Sequence, residues 1–455
     1  MEVGAKRRRA EEDEEEERVD HISRLPDAVL GEIISLLPTK DGARTQVISR
    51  RWRPLWRSAP LNLDLHGMSR RHGYSVHDIS GILAAHPGPG RRFSILTGCL
   101  KRCDRPAAIL DGWLRSRALD NLQELEFHFH YGGLSGPPPL PASAHRFSDS
   151  LRVASFGYCR FPDGNDAGVP QLPLLKQLSL SIVVISENSL YALLAGCPDL
   201  HSLLLYENQG FSRVRIVSRT LRSMGVKTVT ELKLVIEDAP CLERLLLFEH
   251  RYRVKIDVTV NSASKLDVLG LFNDSSRLEL GTTVFQGLRL VNLTTVVQSV
   301  KVLSLLQDNL SLDVVINFMK CFPCLEKLYI KTHAVGKKNA WCHKYRGRIC
   351  SLDVRLKKIV LTNYRGNHSH VNFAKFFVLN ARVLESMRLE LESGNPNIDW
   401  IERQHRLLRI KNRASRGAQF DFVSRNSSSC LCLPCPKLVH DLSTADPFVR
   451  FHNWV

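Results

Sequence analysis

The residue clusters in this 455-residue chain most able to do chemistry are rich in cysteine. One is Cys430-x-Cys432-x-x-Cys435; the other is Cys342-His343 with Cys350. Thiolates and imidazoles at short spacing are zinc ligands, but a tetrahedral site draws on well-spaced pairs. Pro434 and Pro436 crowd the first cluster. The expectation is no metal and no cofactor. The phosphate-cradling GxxxxGK[ST], the dinucleotide GxGxxG, the zinc HExxH and the nucleophile-elbow GxSxG patterns are all missing. Nothing argues for catalysis, so a non-enzyme is expected.

Binding chemistry is more evident, and it is apolar. In Asp20-His-Ile-Ser-Arg-Leu-Pro-Asp-Ala-Val-Leu-Gly-Glu-Ile-Ile-Ser-Leu-Leu-Pro38, Pro26 suits a first helical turn. Val29, Leu30, Ile33, Ile34, Leu36 and Leu37 follow at helical spacing, a stripe too wide for one core face. Pro38 stops the helix. Thr39 is placed to cap a short second helix that contains Gly42. Val47, Ile48, Trp52, Leu55 and Trp56 give a third segment one apolar side. Three short helices cannot bury that much apolar surface alone, which points to a partner.

The residues Leu25-Pro26-x-x-x-Leu30-x-x-Ile33-Ile34-Ser-x-Leu37-Pro38-x-Lys-Asp and Ser49-Arg-Arg-Trp52-Arg-x-Leu55-Trp56 closely resemble the F-box. The resemblance implies docking onto the Skp-type adaptor of a cullin–RING ubiquitin ligase. In family terms Leu25, Pro26, Leu30, Ile33, Ile34, Leu37 and Pro38 fall where adaptor contacts are made, and Trp52 supports the module's own core. Which of Ile33 and Ile34 faces outward stays open from sequence. Gln46 departs from the small or polar residue usual there in plant members.

From about residue 120 to 390 a phrase recurs, Leu-x-x-Leu-x-Leu. It reads Leu122-x-x-Leu125-x-Phe127, Leu175-x-x-Leu178-x-Leu180, Leu200-x-x-Leu203-x-Leu205, Leu242-x-x-Leu245-x-Leu247, Leu266-x-x-Leu269-x-Leu271 and Leu325-x-x-Leu328-x-Ile330. Weaker copies start at Leu151, Leu221, Val300, Leu356 and Leu384, and the gaps between starts run from 21 to 34 residues. Most fall in the window of leucine-rich repeats. Leu-x-Leu is a short strand with alternate residues inward. Each unit leaves apolar surface that only its neighbours cover. The fold class expected is α/β: a small three-helix F-box, an irregular leucine-rich-repeat solenoid (a curved parallel sheet with outer helices) and a C-terminal α/β cap. Asn188 to Gly196 reads as one outer helix, capped by Asn188 or Ser189. Lys176, Gln177, Ser179, Asp199, His201, Ser202, Leu204, Glu243, Arg244, Glu326 and Lys327 are expected to be exposed and available for recognition.

Between these parts, Asn62-Leu-Asp-Leu65 and Phe93-Ser-Ile-Leu96 read as strands, and Ala107 to Leu119 as an amphipathic helix. That helix followed by Leu122-x-x-Leu125 resembles plant F-box/leucine-rich-repeat proteins. Gly132 to Pro141 reads as a loop. Leu356 to Leu391 reads strand, helix, strand, and with Asp441-Leu-Ser-Thr-Ala-Asp446-Pro-Phe448 it resembles the FBD module and tail of plant F-box proteins. Arg403, Arg406 and Arg409 or Arg413 are placed near one helical face, able to meet an acidic group but read as a solvated surface.

Composition sets the frame: 44% hydrophobic and 24% charged, with no apolar run long enough to span a bilayer. Residues 1–20 hold nine acids and five bases and no apolar core, so no secretory signal is expected. The expected address is nucleus and/or cytoplasm, where Cys159, Cys197, Cys241 and Cys324 act as small buried hydrophobes. Lys6-Arg-Arg-Arg9 ahead of the acidic run Glu11–Glu17 is either a nuclear import signal or a solvated tail. The formal charge of +17 favours acidic partners. The division expected is 1–19 disordered charged tail, 20–60 F-box, 61–355 repeats, and 356–455 FBD-like module and tail. The function expected is a substrate-recognition subunit of a Skp–cullin–F-box ligase that joins the adaptor to an unidentified target protein, without membrane or nucleic acid. The alternatives are an adaptor-independent basic scaffold that binds acidic partners or nucleic acid, and repeats that bind a small molecule bridging to a target.

Overall fold

The computed structural model describes residues 22, 24–65, 74–100, 103–129, 136–163, 168–248, 254–332, 354–391 and 397–424. Near the end it describes 439–440, 442–444 and 446–448. Lys6–Arg9, Glu11–Glu17 and the Cys342/His343/Cys350 and Cys430/Cys432/Cys435 clusters lie outside the described residues. The chain forms two compact units, Met1–Leu125 with Pro141–Leu151, and Glu126–Leu140 with Arg152–Val455.

The first unit starts with α1 (Asp27–Leu36), α2 (Thr39–Arg44), a 3-10 turn (Thr45–Val47) and α3 (Trp52–Ser58). Pro26 and Pro38 hold extended backbone immediately before α1 and α2, which separates the two helices. The third helix begins at Trp52, later than the apolar pattern from Val47 implies. Pro54 explains the start, because a residue without an N–H fits only in a helix's first turn. Thr39 does not cap α2; its hydroxyl donates to the Asn62 carbonyl at 2.5 Å, fixing α2 to β1 (Leu61–Asp64). Gly42, a poor helix former, sits where a Cβ would meet the Trp56 ring at 2.6 Å. The module's core is Leu30, Ile34, Trp52, Leu55 and Ala59, with Leu25 and Trp56 packed against it.

In the same unit β1 pairs in parallel with β2 (Gly90–Leu96). Helix α4 (Val76–Ala85) starts with a capping box between Ser75 and Asp78. Helix α5 (Pro106–Leu114) and a 3-10 turn (Arg117–Leu119) fill the stretch expected as one helix. β3 (Glu124–His128) then leads into the second unit.

There the main sheet runs through β4 (Val153–Gly157), β5 (Gln177–Ser181), β6 (Ser202–Tyr206), β8 (Ser223–Lys227), β10 (Arg244–Leu247) and β12 (Val268–Phe272). It continues through β16 (Val302–Gln307), β17 (Lys327–Thr332), β18 (Lys358–Tyr364), β19 (Ser386–Leu391) and β20 (Gln419–Ser424). Every neighbouring pair from β4 to β20 is parallel. The recurring phrase ends on these strands in a single register. Ala154, Leu178, Leu203, Met224, Leu245, Leu269, Leu303, Leu328, Ile359 and Met387 stand side by side across the sheet. They share one face because strand side chains alternate, and all ten are buried.

Outer helices appear as expected at α6 (Glu187–Ala195), α7 (Leu312–Cys321), α8 (His368–Asn380) and α9 (Ile398–Leu408). Ser186 caps α6, two or three residues ahead of the sequence expectation, by accepting from the Ser189 N–H. Between α6 and α7 the second layer is a sheet instead. β7 (Arg213–Val217), β9 (Leu232–Asp238), β11 (Ile256–Val260) and β13 (Ser276–Leu280) are parallel, and β14 (Thr283–Gln286) and β15 (Arg289–Asn292) extend the sheet antiparallel. Arg213-Val-Arg-Ile-Val217 alternates exposed and buried, the period of a strand. Phe285 on β14 stacks on Phe318 of α7 with ring centroids 4.2 Å apart, closing the layer.

Cys159 and Cys197 are buried free thiols; burial pushes the Cys197 pKa up to about 12 and that of Cys159 higher than its usual range. Asn208, also buried, links successive coils: its Oδ1 accepts from Val183 N–H and its Nδ2 donates to Leu180 carbonyl, both at 3.0 Å. Asn208→Leu leaves both backbone groups without this partner. A loss of about 1–3 kcal/mol per orphaned group is expected, read as a lowered midpoint in urea denaturation.

Candidate partner-docking surfaces

The F-box-like residues sort into two sets once the module is folded. Leu30 (0% exposed) and Ile34 (1%) are consumed by the module's own core, so the expectation that they contact the adaptor is corrected. Helical geometry decides this: the stripe wraps past one face, and residues 30 and 34 are one turn apart on the inner side. Ile33 points outward, which resolves the pair that sequence left open. Leu25 and Leu37 are half-buried, and Pro26 and Pro38 are exposed. Trp52 is in the core. Arg51 ties α3 to α1, with Nε 2.7 Å from an Asp27 carboxylate oxygen and Nη2 2.6 Å from the Leu25 carbonyl.

The outer side is apolar to an unusual degree. Ile22, Val29, Ile33, Leu36, Val47 and Ile48 are all exposed, Val47 at 85%. Val29, Ile33 and Leu36 share one face of α1 by their spacing, and contiguous exposed apolar side chains mark an interaction site. Val29, Leu36, Val47 and Ile48 were not among the sequence-selected residues; the excess width of the apolar stripe signalled Val29 and Leu36, whereas the sequence pattern puts Val47 and Ile48 on the same apolar side as Trp52 and Leu55, which are buried.

The repeat positions expected to be exposed divide as well. Lys176 is exposed, and Gln177, Asp199, His201, Glu243, Arg244, Glu326 and Lys327 are half-buried. Ser179, Ser202 and Leu204 are buried, so the sheet face away from the leucine interior is not an open polar surface. Leu204 joins Leu246, Val268, Val302, Tyr329 and Val360 in a cluster that also contains Val439, Leu442 and Phe448. Arg403 and Arg406 are exposed on α9, whereas Arg409 ends that helix in a left-handed conformation (φ 57°) and Arg413 lies beyond it. No group of His, Cys, Asp and Glu able to hold a metal occurs among the described residues, and no described helix is long and apolar enough to cross a membrane.

Comparison with known proteins gives these surfaces a context. The F-box domain family model matches residues 22–64. A model described as the LRR repeats of the FBD-associated F-box protein At5g56370 matches residues 110–330. The FBD model matches residues 343–389. Among curated proteins the chain is similar to the Arabidopsis thaliana F-box/LRR-repeat protein 13, with 28% identity over 57% of this chain and 58% of the relative. It is also similar to the Arabidopsis F-box/LRR-repeat protein At3g03360, with 30% identity over 57% of this chain and 54% of the relative. The Arabidopsis putative FBD-associated F-box protein At5g22720 matches more of both, 83% and 89%, at 24% identity. For the first two, the match spans little more than half of the relative's length. The chain thus carries an F-box, leucine-rich repeats and an FBD in that order, the organisation that names its plant relatives.

Proposed function

We propose that the chain is the substrate-recognition subunit of a Skp–cullin–F-box ubiquitin ligase. The F-box grips the Skp-type adaptor, and the repeat region holds a target protein. The observation that carries this reading is the exposed apolar set Val29, Ile33, Leu36, Val47 and Ile48 on a module whose own core is complete without them. Covering apolar surface is what drives association, at roughly 25 cal/mol per Å² buried before the costs of ordering. The chain itself performs no bond chemistry. It raises the effective concentration of target lysines near the charged conjugating enzyme. A nuclear or cytoplasmic address is part of the proposal.

The basic-scaffold alternative has less behind it, because many bases are matched by acids. Arg92 meets Asp64 and Glu124, Lys227 meets Glu207, Arg277 meets Glu279 and Arg388 meets Glu390. The test is co-expression with a plant Skp-type adaptor and cullin, followed by size-exclusion chromatography. The three are expected to co-elute; separate elution of a folded chain counts against the reading.

A further inference from the structure

We propose that the sheet face turned away from the leucine interior is a docking groove for a short peptide bearing a carboxylate two residues before an aromatic ring. In the chain alone, Asp446-Pro447-Phe448 occupies this groove as an internal ligand. The statement that the outside occupant is a ligase target rests on the proposed function; the groove itself rests on geometry.

A sheet face open to water carries polar residues at alternate positions. Here Leu204, Leu246, Val268, Val302, Tyr329 and Val360 occupy those positions and are buried. The side chains that cover them are those of Val439, Leu442 and Phe448, far along the chain. Leu442 is fully buried in a socket made by a missing side chain: a Cβ on Gly225 would lie 2.8 Å from Leu442 Cδ2. Phe448 packs on Tyr329 with ring centroids 5.4 Å apart.

Charge fixes the register. Asp446 accepts from the Tyr329 hydroxyl at 2.7 Å and pairs with Lys327 Nζ at 3.0 Å. Lys358 Nζ lies over the Tyr329 ring, 5.4 Å from its centroid. The Asp446 side chain is only 12% exposed, so its charge is largely removed from water and depends on these partners. A groove with a lysine-and-tyrosine corner beside an aromatic shelf selects an acidic residue followed by an aromatic one. The anchors come from a short segment, so an outside peptide with the same chemistry competes with it directly. The tethered copy acts at an effective concentration on the order of millimolar, which masks the groove from weak ligands.

The test is fluorescence anisotropy with a labelled synthetic peptide of residues 439–448 and the full-length chain. An Asp446→Ala/Phe448→Ala chain is expected to bind the peptide tenfold or more tightly than the unaltered chain. The same peptide carrying Asp446→Asn and Phe448→Ala is expected to bind neither. Equal binding by both chains, or by both peptides, overturns the proposal. If the double variant does not fold, hydrogen exchange on the unaltered chain decides. Saturating peptide is expected to speed exchange of the amides at Leu442, Ser443, Thr444, Asp446 and Phe448, while the altered peptide leaves them slow. No acceleration overturns the proposal. Adaptor capture is scored on the same samples. Its loss with peptide binding retained removes the proposed function and leaves the groove standing, so the two readings fail separately.

Discussion

Ile33→Asp is expected to weaken binding of the chain to a Skp-type adaptor by about 2–4 kcal/mol, some 30- to 1,000-fold in Kd. The melting temperature is expected to stay unchanged. The reason is the side chain's position: it is exposed on α1 and is not a member of the core that Leu30, Ile34, Trp52, Leu55 and Ala59 form. A carboxylate there stays in water in the free chain but becomes buried and unpaired in the complex. Leu30→Ala is the contrast, because it opens a cavity and costs about 2–5 kcal/mol of stability. Isothermal titration calorimetry with circular dichroism melts separates the two. An Ile33→Asp chain that melts early, or binds the adaptor normally, contradicts this assignment.

Phe285→Ala is expected to destabilise the second unit by about 3–5 kcal/mol, the range for removing a buried aromatic ring. Phe285 is fully buried, its ring parallel to that of Phe318, and Phe318 in turn stacks near Phe322. The three rings join β14 of the second sheet to α7, where the outer layer changes from strands to helices. Urea denaturation followed by circular dichroism measures the loss. A shift below 1 kcal/mol means that the two layers are not held together there.

The main sheet was legible in the sequence because its signal is local. Leu178 and Leu180, or Leu328 and Ile330, alternate with period two, and a Leu three residues earlier marks the turn. The same signal recurs often enough to define the stacking. The second sheet was not legible, because Arg213 to Val217 and Ile256 to Val260 each give only five residues of alternation without a leading Leu. Such short runs do not separate from ordinary loop sequence.

In the F-box the set of apolar residues was plain, but its division into inner and outer sides was not. Ile33 and Ile34 are adjacent and alike, and only the packing of α1 on α3 decides which is buried. The cover over Leu204 had no local signal at all. Lys327 meets Asp446 across 119 positions in the chain, and no spacing rule reaches that far.

The exposed apolar side of the N-terminal helical module is expected to be covered by a second polypeptide. Titration calorimetry of the full-length chain with a purified plant Skp-type adaptor tests it most directly. One-to-one binding is expected, with a Kd of about 1 μM or tighter and a negative heat-capacity change from the buried apolar surface. A correctly folded chain that gives no binding heat at any of several temperatures, with the adaptor raised to about 100 μM, contradicts it.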